Sequence, residues 1–285
     1  MLSMMLCLAL GHACGHNLIA TVAVTGALAT AEIMKAEKLP GKVILFGTPA
    51  EESLGGKVKM LEAGVFHDHN ISISLIAHPG LSDTAYMVTS STDRLDLEYY
   101  GKTAHAAAAP YEGVNAQDAL VLAYNAIAML RQQSKATDLV HGVITEGGQS
   151  INCAEAGALA TGAELNRTMR PHGYSNMVNN EVLVGFFYKN YEDLNGTLPD
   201  RATDSMRTPG GSTDQGNIAW EFPSIQPMFA IYIENGSLPS GGPHTAPFEV
   251  PAGTKLSFKK ALKVAKAMAG VAVDVLATEG MVDKA

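Results

Sequence analysis

The chain has few of the residues that would indicate a secreted or nucleic-acid-binding protein. Its 285 residues include three cysteines, at positions 7, 14 and 153, which are too few for a disulfide scaffold and are typical of a reducing, cytoplasmic compartment. Twenty Lys and Arg stand against 28 Asp and Glu, and the net charge of −8 argues against nucleic acid or a membrane surface as partner. The apolar residues 1–10 are too short to span a bilayer and lack the positive flank of a secretory signal, so we interpret them as a poor strand or an abnormal chain start.

The order of the predicted elements favours an α/β fold with mostly parallel strands. An Ala-rich helix at 17–38 is followed by short apolar strands at 42–46 and 71–77, the second broken by His78-Pro79-Gly80. After about residue 87 the pattern changes to alternating apolar and polar residues, which indicates a separate α+β unit inserted in the chain. The remaining predicted elements are strands at 94–100, 139–145 and 227–234 and helices at 115–133 and 255–277.

Two groups of polar side chains stand at the ends of predicted elements. In the run GHACGHN, Cys14 and His16 can bind one metal ion if the chain turns tightly at Gly15, although an isolated pair with this spacing is more often a buried thiol beside a loop histidine. Glu51 and Glu52 follow the strand at 42–46. Adjacent acids there often only complement a helix dipole, but they can also divide metal binding and proton transfer between them.

Two histidines, His78 and His244, follow further predicted strands. A lone loop histidine is usually just solvated, but ligand sites in open α/β sheets lie beyond the carboxyl ends of the strands. We therefore expect both rings, the glutamate pair and the Cys14–His16 pair to converge at one sheet edge. Nitrogen, oxygen and sulfur donors together favour Zn²⁺, with Mn²⁺ or Co²⁺ as alternatives.

Six runs, in this order along the chain, resemble motifs of the M20 metallopeptidases: GHACGHN, TPAEES, AHPG, GKTAHAAAAPYEGVNA, GSTDQGN and GPHTAPF. The similarity extends from Gly11 nearly to the end and is greatest to the amidohydrolases, the M20-domain-containing dipeptidases and the aminoacylase-like enzymes. It implies metal-dependent hydrolysis of an amide or peptide bond in a dipeptide or N-acyl amino acid. It also implies a catalytic domain at 1–87 and 176–285, and an inserted lid and dimerisation domain at 88–175 that would make a homodimer.

The resemblance further implies a site with two divalent metal ions and assigns a role to each candidate residue. The implied metal ligands are Cys14 as a bridging thiolate, His16, Glu52, His78 and His244. Glu51 would be the general base, and this choice between the two glutamates comes from the family. His105 would reach across a dimer and stabilise the developing oxyanion in the partner's site. The implied substrate-binding residues are Asn152, Gly211, Ser212 and Thr213.

Two departures from the family pattern predict a shortened lid. The segment that precedes GHACGHN in the family is missing, and Asn152 runs directly into Cys153, where relatives have a strand that offers an arginine to the substrate carboxylate. Two other functional classes therefore stay open. One is a catalytically silent metal-binding or interaction protein that arises from truncation. The other is a thiol-dependent redox protein that uses Cys14, against which the lack of a nearby resolving cysteine counts.

Overall fold

The computed structural model describes residues 11–52, 54–147, 155–156, 161–278 and 280–281. The chain divides into two compact units. The larger unit consists of the chain up to Thr92 and from His172 onward. The smaller unit, Asp93–Pro171, is inserted between these two parts of the sequence.

Helices dominate the larger unit, and one long helix belongs to the smaller unit. In chain order the α-helices are α1 (His16–Glu37), α2 (Gly56–Glu62), α3 (Val65–Asp68), α4 (Ala116–Met129), α5 (Glu181–Asp193), α6 (Arg201–Ser205), α7 (Gln215–Glu221), α8 (Ala246–Ala252) and α9 (Lys255–Ala277). Of these, α4 lies in the smaller unit, with short 3₁₀ helices at Pro110–Glu112 and Leu130–Gln132. The predicted helices at 17–38, 115–133 and 255–277 correspond to α1, α4 and α9.

The core of the larger unit is built around α9. Its buried residues recur at helical spacing and form one apolar face: Ala261, Val264, Ala265, Met268, Val271 and Val275. Thr254 caps the first turn, since its hydroxyl accepts a hydrogen bond from Ser257 N at 3.1 Å. Both α1 and α5 pack against this helix. Gly26 lets α1 come so close that a Cβ at this position would lie 3.4 Å from the carbonyl oxygen of Ala265.

The strands form short two-stranded pairings within each unit. The described strands are β1 (Ser74–Leu75), β2 (His78–Gly80), β3 (Leu95–Tyr100), β4 (Val114–Asn115), β5 (Glu155–Ala156), β6 (Glu164–Met169), β7 (Ser224–Ile225) and β8 (Met228–Ala230). In the larger unit, β1 pairs with β7 and β2 with β8, both in parallel. In the smaller unit β3 and β6 are antiparallel, whereas β4 and β5 are parallel.

The predicted strand at 42–46 is not a strand in the structure. This segment is irregular and makes no backbone hydrogen bond with any other described residue. Instead, it borders a cavity of about 1060 Å³ that also extends along α1 and residues 70–76. A β-branched run becomes a strand only where a neighbouring strand pairs with it, and no described strand pairs with this segment.

Two further strand predictions need correction. His78-Pro79-Gly80, predicted as a break, is strand β2. Pro79 is tolerated in the strand because the backbone hydrogen bonds to β8 and its flanks are made by the neighbouring residues. His78 N donates to Pro227 O, and Ile231 N donates to Gly80 O. The predicted strand at 139–145 is irregular and exposed, because no strand of the described chain lies beside it.

By length and composition alone, α1 could cross a membrane. Core helices of many soluble proteins have the same properties, and the buried residues of α1 lie on one side: Leu18, Val22, Gly26 and Thr30. Much of the rest of the helix borders the cavity or is exposed, including Leu28 at 64%. Only part of the apolar surface of α1 is therefore buried against other described residues.

Candidate metal centre

A tight turn brings the first donors together at the start of α1. Gly15 has φ of 75°, a left-handed conformation that glycine adopts without strain, and its N–H donates to His12 O at 2.9 Å. A Cβ at Gly15 would lie 2.5 Å from Pro79 Cγ, so the loop rests directly on β2. This contact brings Cys14 next to His78, the first residue of β2.

A second tight turn, strained at Ala50, carries the two glutamates. Ala50 has φ of 64°, which is uncommon for a residue with a side chain. The turn closes on itself, since Leu54 N and Gly56 N both donate to Ala50 O at 3.3 Å. A Cβ on Gly56 would lie 1.7 Å from Pro49 O, so only glycine fits at the start of α2. Glu51 and Glu52 therefore project from a compact turn.

The donor atoms of four elements converge. His244 Nε2 lies 3.1 Å from Cys14 Sγ and 3.1 Å from Glu52 Oε2. His78 Nε2 lies 3.4 Å from the same sulfur, and His16 Nε2 lies 3.2 Å from Glu52 Oε1. Around a tetrahedral zinc ion, bonds of about 2.0–2.3 Å place neighbouring ligand atoms about 3.3–3.8 Å apart. The four distances of 3.1–3.4 Å in the cluster are at or slightly below this range, so the donors lie close to the spacing of a metal centre.

The donors form three overlapping sets, and within each set the donor atoms all lie within 4.8 Å of one another. The sets are Cys14 with His16 and His78; Cys14 with Glu52 and His244; and His16 with Glu51 and Glu52. Cys14 is shared by the first two sets, Glu52 by the last two, and His16 by the first and the third. A shared donor between adjacent sets is the arrangement that a bridging ligand of two ions requires.

Two histidines of the cluster, His78 and His16, have ring nitrogens placed to act as metal ligands. His78 Nδ1 lies 2.7 Å from Pro79 O, so this nitrogen carries the proton and Nε2 presents a lone pair toward Cys14. His16 Nε2 is buried and has no hydrogen-bond partner within the described structure, because its contact with Glu52 is poorly aligned. An orphaned buried nitrogen costs stability unless something binds it, and a cation would do so.

Burial and mutual charge govern the protonation of the cluster. Burial lowers the pKa of His78 to about 4 and also lowers the pKa of His16, so both rings are neutral near pH 7. Burial, followed by the charges of Glu52 and Glu51, raises the pKa of the Cys14 thiol far above its usual range. A thiolate there needs a neighbouring cation, as metal ligation would provide. Burial also raises the pKa of Glu51, against the opposing charge of Lys57.

A buried ion pair lies behind the glutamate turn. Lys57 Nζ donates to Asp214 Oδ1 at 2.6 Å, and Lys57 N donates to Asp214 Oδ2 at 2.9 Å. Both residues are buried, and the same loop contributes Thr213, whose side chain hydrogen-bonds Glu51. The loop that precedes α7 and the turn that precedes α2 are thereby joined.

The structure brings some predicted site residues together and leaves others apart. Near one another are Cys14, His16, Glu51, Glu52, His78, His244 and Thr213. Gly211 and Ser212 lie in the exposed loop that leads to Thr213 and are not among the residues that converge on the cluster. His105 belongs to the smaller unit, where its Nδ1 accepts hydrogen bonds from the N–H groups of Ala107 and Ala108 at 3.2 and 3.1 Å. Asn152 lies outside the described residues.

Sequence reasoning missed three residues beside the cluster: Lys57, Asp214 and Tyr174. The Asp214 carboxylate holds Lys57, and the Tyr174 hydroxyl donates to Glu51 O at 2.5 Å. Lys57 looks in the sequence like the exposed Lys59 two residues later, so no local signal predicts its burial. Asp214 stands just before α7, where an acid is usually only a helix-terminal residue.

An α/β unit that gathers a thiol, three imidazoles and two carboxylates next to a parallel strand is typical of a metallohydrolase. The family comparison agrees: residues 10–270 match the model of peptidase family M20/M25/M40. The chain belongs to this family, and the resemblance inferred from the six motifs is confirmed.

Known relatives extend over most of the chain. It is 38% identical over 300 residues to the Xaa-Arg dipeptidase of Mus musculus, and 35% identical over 299 residues to that of Homo sapiens. These alignments cover 94% of this chain and 67% and 66% of the relatives, so the chain spans about two thirds of their length. Among solved structures, a dinuclear metal-binding peptidase of the M20 family from Bacillus subtilis matches with a TM-score of 0.59 at 19% identity, over 94% of this chain and 74% of that one. This match supports the M20 fold.

Proposed function

We propose that the chain hydrolyses the peptide bond of dipeptides in a metal-dependent reaction. The observation that carries the proposal is the cluster of Cys14, His16, Glu52, His78 and His244, whose donor atoms have the spacing of metal ligands. Membership of a peptidase family and the Xaa-Arg dipeptidase relatives support the same activity. Glu52 and His244 are exposed, so a small substrate can reach the cluster from solvent.

The cluster would hold two divalent ions, with zinc proposed because its donors are sulfur, nitrogen and oxygen. Cys14 is the proposed bridge because the family resemblance implies it, and it is one of the three donors that two sets share. The dinuclear metal binding named for the Bacillus subtilis structure supports this stoichiometry. When bound, such ions would polarise the scissile carbonyl and acidify a water molecule.

Glu51 is the proposed general base. Its nearest donor-cluster contact, Glu51 Oε2 to His16 Nε2, is 3.9 Å, longer than the 3.2 Å between His16 and Glu52. A carboxylate held beside the ligands, with its pKa raised by burial, is suited to take a proton from water and pass it to the leaving amine. Thr213, hydrogen-bonded to Glu51, would help to orient this carboxylate, and Gly211 and Ser212 would offer backbone N–H groups to the substrate carboxylate.

The test combines metal content with turnover. We expect about two zinc ions per chain by elemental analysis, and hydrolysis that chelators abolish. Glu51→Gln should abolish turnover and leave the metal content unchanged. Glu32→Gln, at an exposed carboxylate of α1, is the matched control and should retain both. Full metal loading of the wild-type chain without hydrolysis would refute the enzymatic proposal and favour a silent metal-binding protein.

The proposed substrates are dipeptides with a C-terminal arginine, in line with the names of the mouse and human relatives. A second substrate class, N-acyl amino acids, has support from a component of the p-aminobenzoyl-glutamate hydrolase of Escherichia coli, a relative at 26% identity. A panel of Xaa-Arg, other dipeptides and acyl-glutamates, assayed with zinc, manganese or cobalt, distinguishes the two. Faster hydrolysis of acyl-glutamates than of every dipeptide would contradict the first choice.

The smaller unit is the proposed lid and dimerisation domain, shortened relative to the family and comprising most of the predicted insert, residues 88–175. Apolar side chains exposed on α4 support an interface there: Val121, Leu122, Tyr124, Ile127 and Met129 are 43–69% exposed. His105 would act in the partner's site. Because its Nδ1 accepts hydrogen bonds, the neutral ring carries its proton on Nε2 and could donate to an oxyanion.

Mixed dimers test this role. His105→Ala and Glu51→Gln chains should each be inactive, and a mixture should recover part of the activity if His105 acts across a dimer. His141→Ala, at an exposed histidine of the same unit, is the control and should stay active. A monomer by light scattering, or mixed dimers without recovered activity, would refute the proposal.

We also propose a cytoplasmic location. The support is indirect: the chain has three cysteines, and a metal-binding Cys14 requires a reduced thiol. Fractionation of cells that express the tagged full-length chain would test it, and recovery from an oxidising compartment would contradict it.

A further inference from the structure

Besides Thr213 and the Lys57–Asp214 pair, one tyrosine holds the turn that carries Glu51 and Glu52 from outside. Tyr174 Oη donates to Glu51 O at 2.5 Å and accepts from Gly55 N at 3.0 Å. The hydroxyl thus bridges two points of the turn, one at the first glutamate and one where α2 begins. We infer that Tyr174 is a positioning residue for the two glutamates, an inference that rests on the proposed function of this site.

Among the described residues of the turn, the internal backbone bonds are long, so an external contact adds to its support. Its internal backbone bonds, from Leu54 and Gly56 to Ala50 O, are both 3.3 Å, and Ala50 has a left-handed φ of 64°. A non-glycine residue in this conformation is held in place by its surroundings. Tyr174 provides a shorter bond than either of the internal ones, and its acceptor is Glu51 itself.

The tyrosine is braced in turn by the rest of the larger unit. Asn217 of α7 accepts a hydrogen bond from Ser175 N and donates one to Gly173 O, both at 3.1 Å, so the backbone on each side of Tyr174 is fixed to α7. Gly216 packs against the same segment, since a Cβ there would lie 1.9 Å from Ser175 O. The hydroxyl therefore acts from a rigid support.

Tyr174 also lies where the chain returns from the smaller unit. Its N–H and C=O pair with the C=O and N–H of Thr92, each bond 2.8 Å long. Thr92 is the last residue before the chain leaves the larger unit, and His172 is the first after it returns. The residue that holds the glutamate turn is therefore part of a backbone pairing at this exit and return. If this pairing moved, the Tyr174 side chain would change the position of Glu51 through its hydrogen bond.

The test is Tyr174→Phe, which removes the hydroxyl and keeps the ring. We expect kcat for a dipeptide to fall about tenfold or more with KM changed less than about threefold, since a lost buried hydrogen bond corresponds to a factor of this order. Zinc affinity, measured by competition with a chelator, should fall about tenfold because Glu52 is less well oriented. Tyr188→Phe is the matched control. Its hydroxyl bonds Pro199 O at 3.1 Å and Asp204 Oδ2 at 3.0 Å, so it should lose stability but keep both readouts.

The outcomes separate positioning from general stability. If Tyr174→Phe lowers the melting temperature as Tyr188→Phe does but keeps wild-type kcat and zinc affinity, the inference is wrong. If the wild-type chain hydrolyses no substrate, zinc affinity alone still decides it, so failure of the proposed function is distinguishable. Should Tyr174→Phe not fold, Asn217→Ala replaces it, because it removes the two bonds that fix the residues on each side of Tyr174 and keeps the hydroxyl. Lower zinc affinity would then support the inference, and unchanged affinity would overturn it.

Discussion

Lys57 offers a sharp test of the energetics around the glutamate turn. Its side chain is 5% exposed, and its partner Asp214 is fully buried, with Nζ and Oδ1 at 2.6 Å. Lys57→Met keeps most of the apolar stem and removes the charge. The variant leaves a buried carboxylate whose remaining described partner is the backbone N–H of residue 57.

The expected cost follows from this burial. Breaking a buried ion pair by removing one partner costs about 3–5 kcal/mol, whereas an exposed pair is worth about 0–1 kcal/mol. With a urea slope of about 2 kcal/mol/M, the unfolding midpoint should fall by about 1.5–2.5 M. The single tryptophan, Trp220 of α7, lies in the larger unit, and its fluorescence reports unfolding of the unit that holds the pair.

Two further variants isolate the cause. Lys57→Met with Asp214→Asn removes both charges and retains an acceptor for residue 57 N, so much of the lost stability should return. Lys189→Met breaks an exposed pair with Asp274 and should cost less than about 1 kcal/mol. A cost for Lys57→Met no larger than for Lys189→Met, or no recovery in the double variant, would refute the reasoning.

Two other substitutions test the local geometry by urea unfolding. Gly56→Ala should destabilise by several kcal/mol, about 3 or more, because its Cβ would collide with Pro49 O, whereas Gly210→Ala has open space and should change the free energy of unfolding by less than about 1 kcal/mol. Equal effects at the two glycines would contradict the steric argument. Asn180→Ala should cost about 1 kcal/mol, since its side chain caps α5 through Val182 N and Leu183 N at 3.1 Å, and Asn180→Asp should retain most of that. Unchanged stability in Asn180→Ala would show that the cap is energetically silent.

The sequence predicted those features that depend on residues close together in the chain. The helices α1 and α9 follow from apolar spacing within one segment, and the convergence of Cys14, His78 and His244 follows from donors placed at element ends. The strand at 42–46 has the right composition, but strand formation depends on a partner distant in sequence. His78 to Gly80 shows the converse, because a proline run became a strand once a partner, β8, lay beside it.

Long-range contacts explain the residues that the sequence did not reveal. Lys57 is 157 positions from Asp214, and Tyr174 is 123 positions from Glu51. Neither separation carries a periodic signal, and a tyrosine in an irregular segment gives no indication that its hydroxyl will bond to the glutamate turn. The roles of the two glutamates likewise came from the family, since adjacent carboxylates are chemically equivalent until their surroundings are known.

The irregular segment 42–46 has a consequence for the protein in solution. Val43 and Leu45 are 37% and 51% exposed, and the amide and carbonyl groups around them bond to no other described residue. An extended apolar stretch whose backbone groups have no partner among the described residues is a template on which a second polypeptide can add by edge pairing. We therefore expect self-association to rise steeply with protein concentration, and a charged substitution at Leu45 to suppress it without changing the proposed metal ligands.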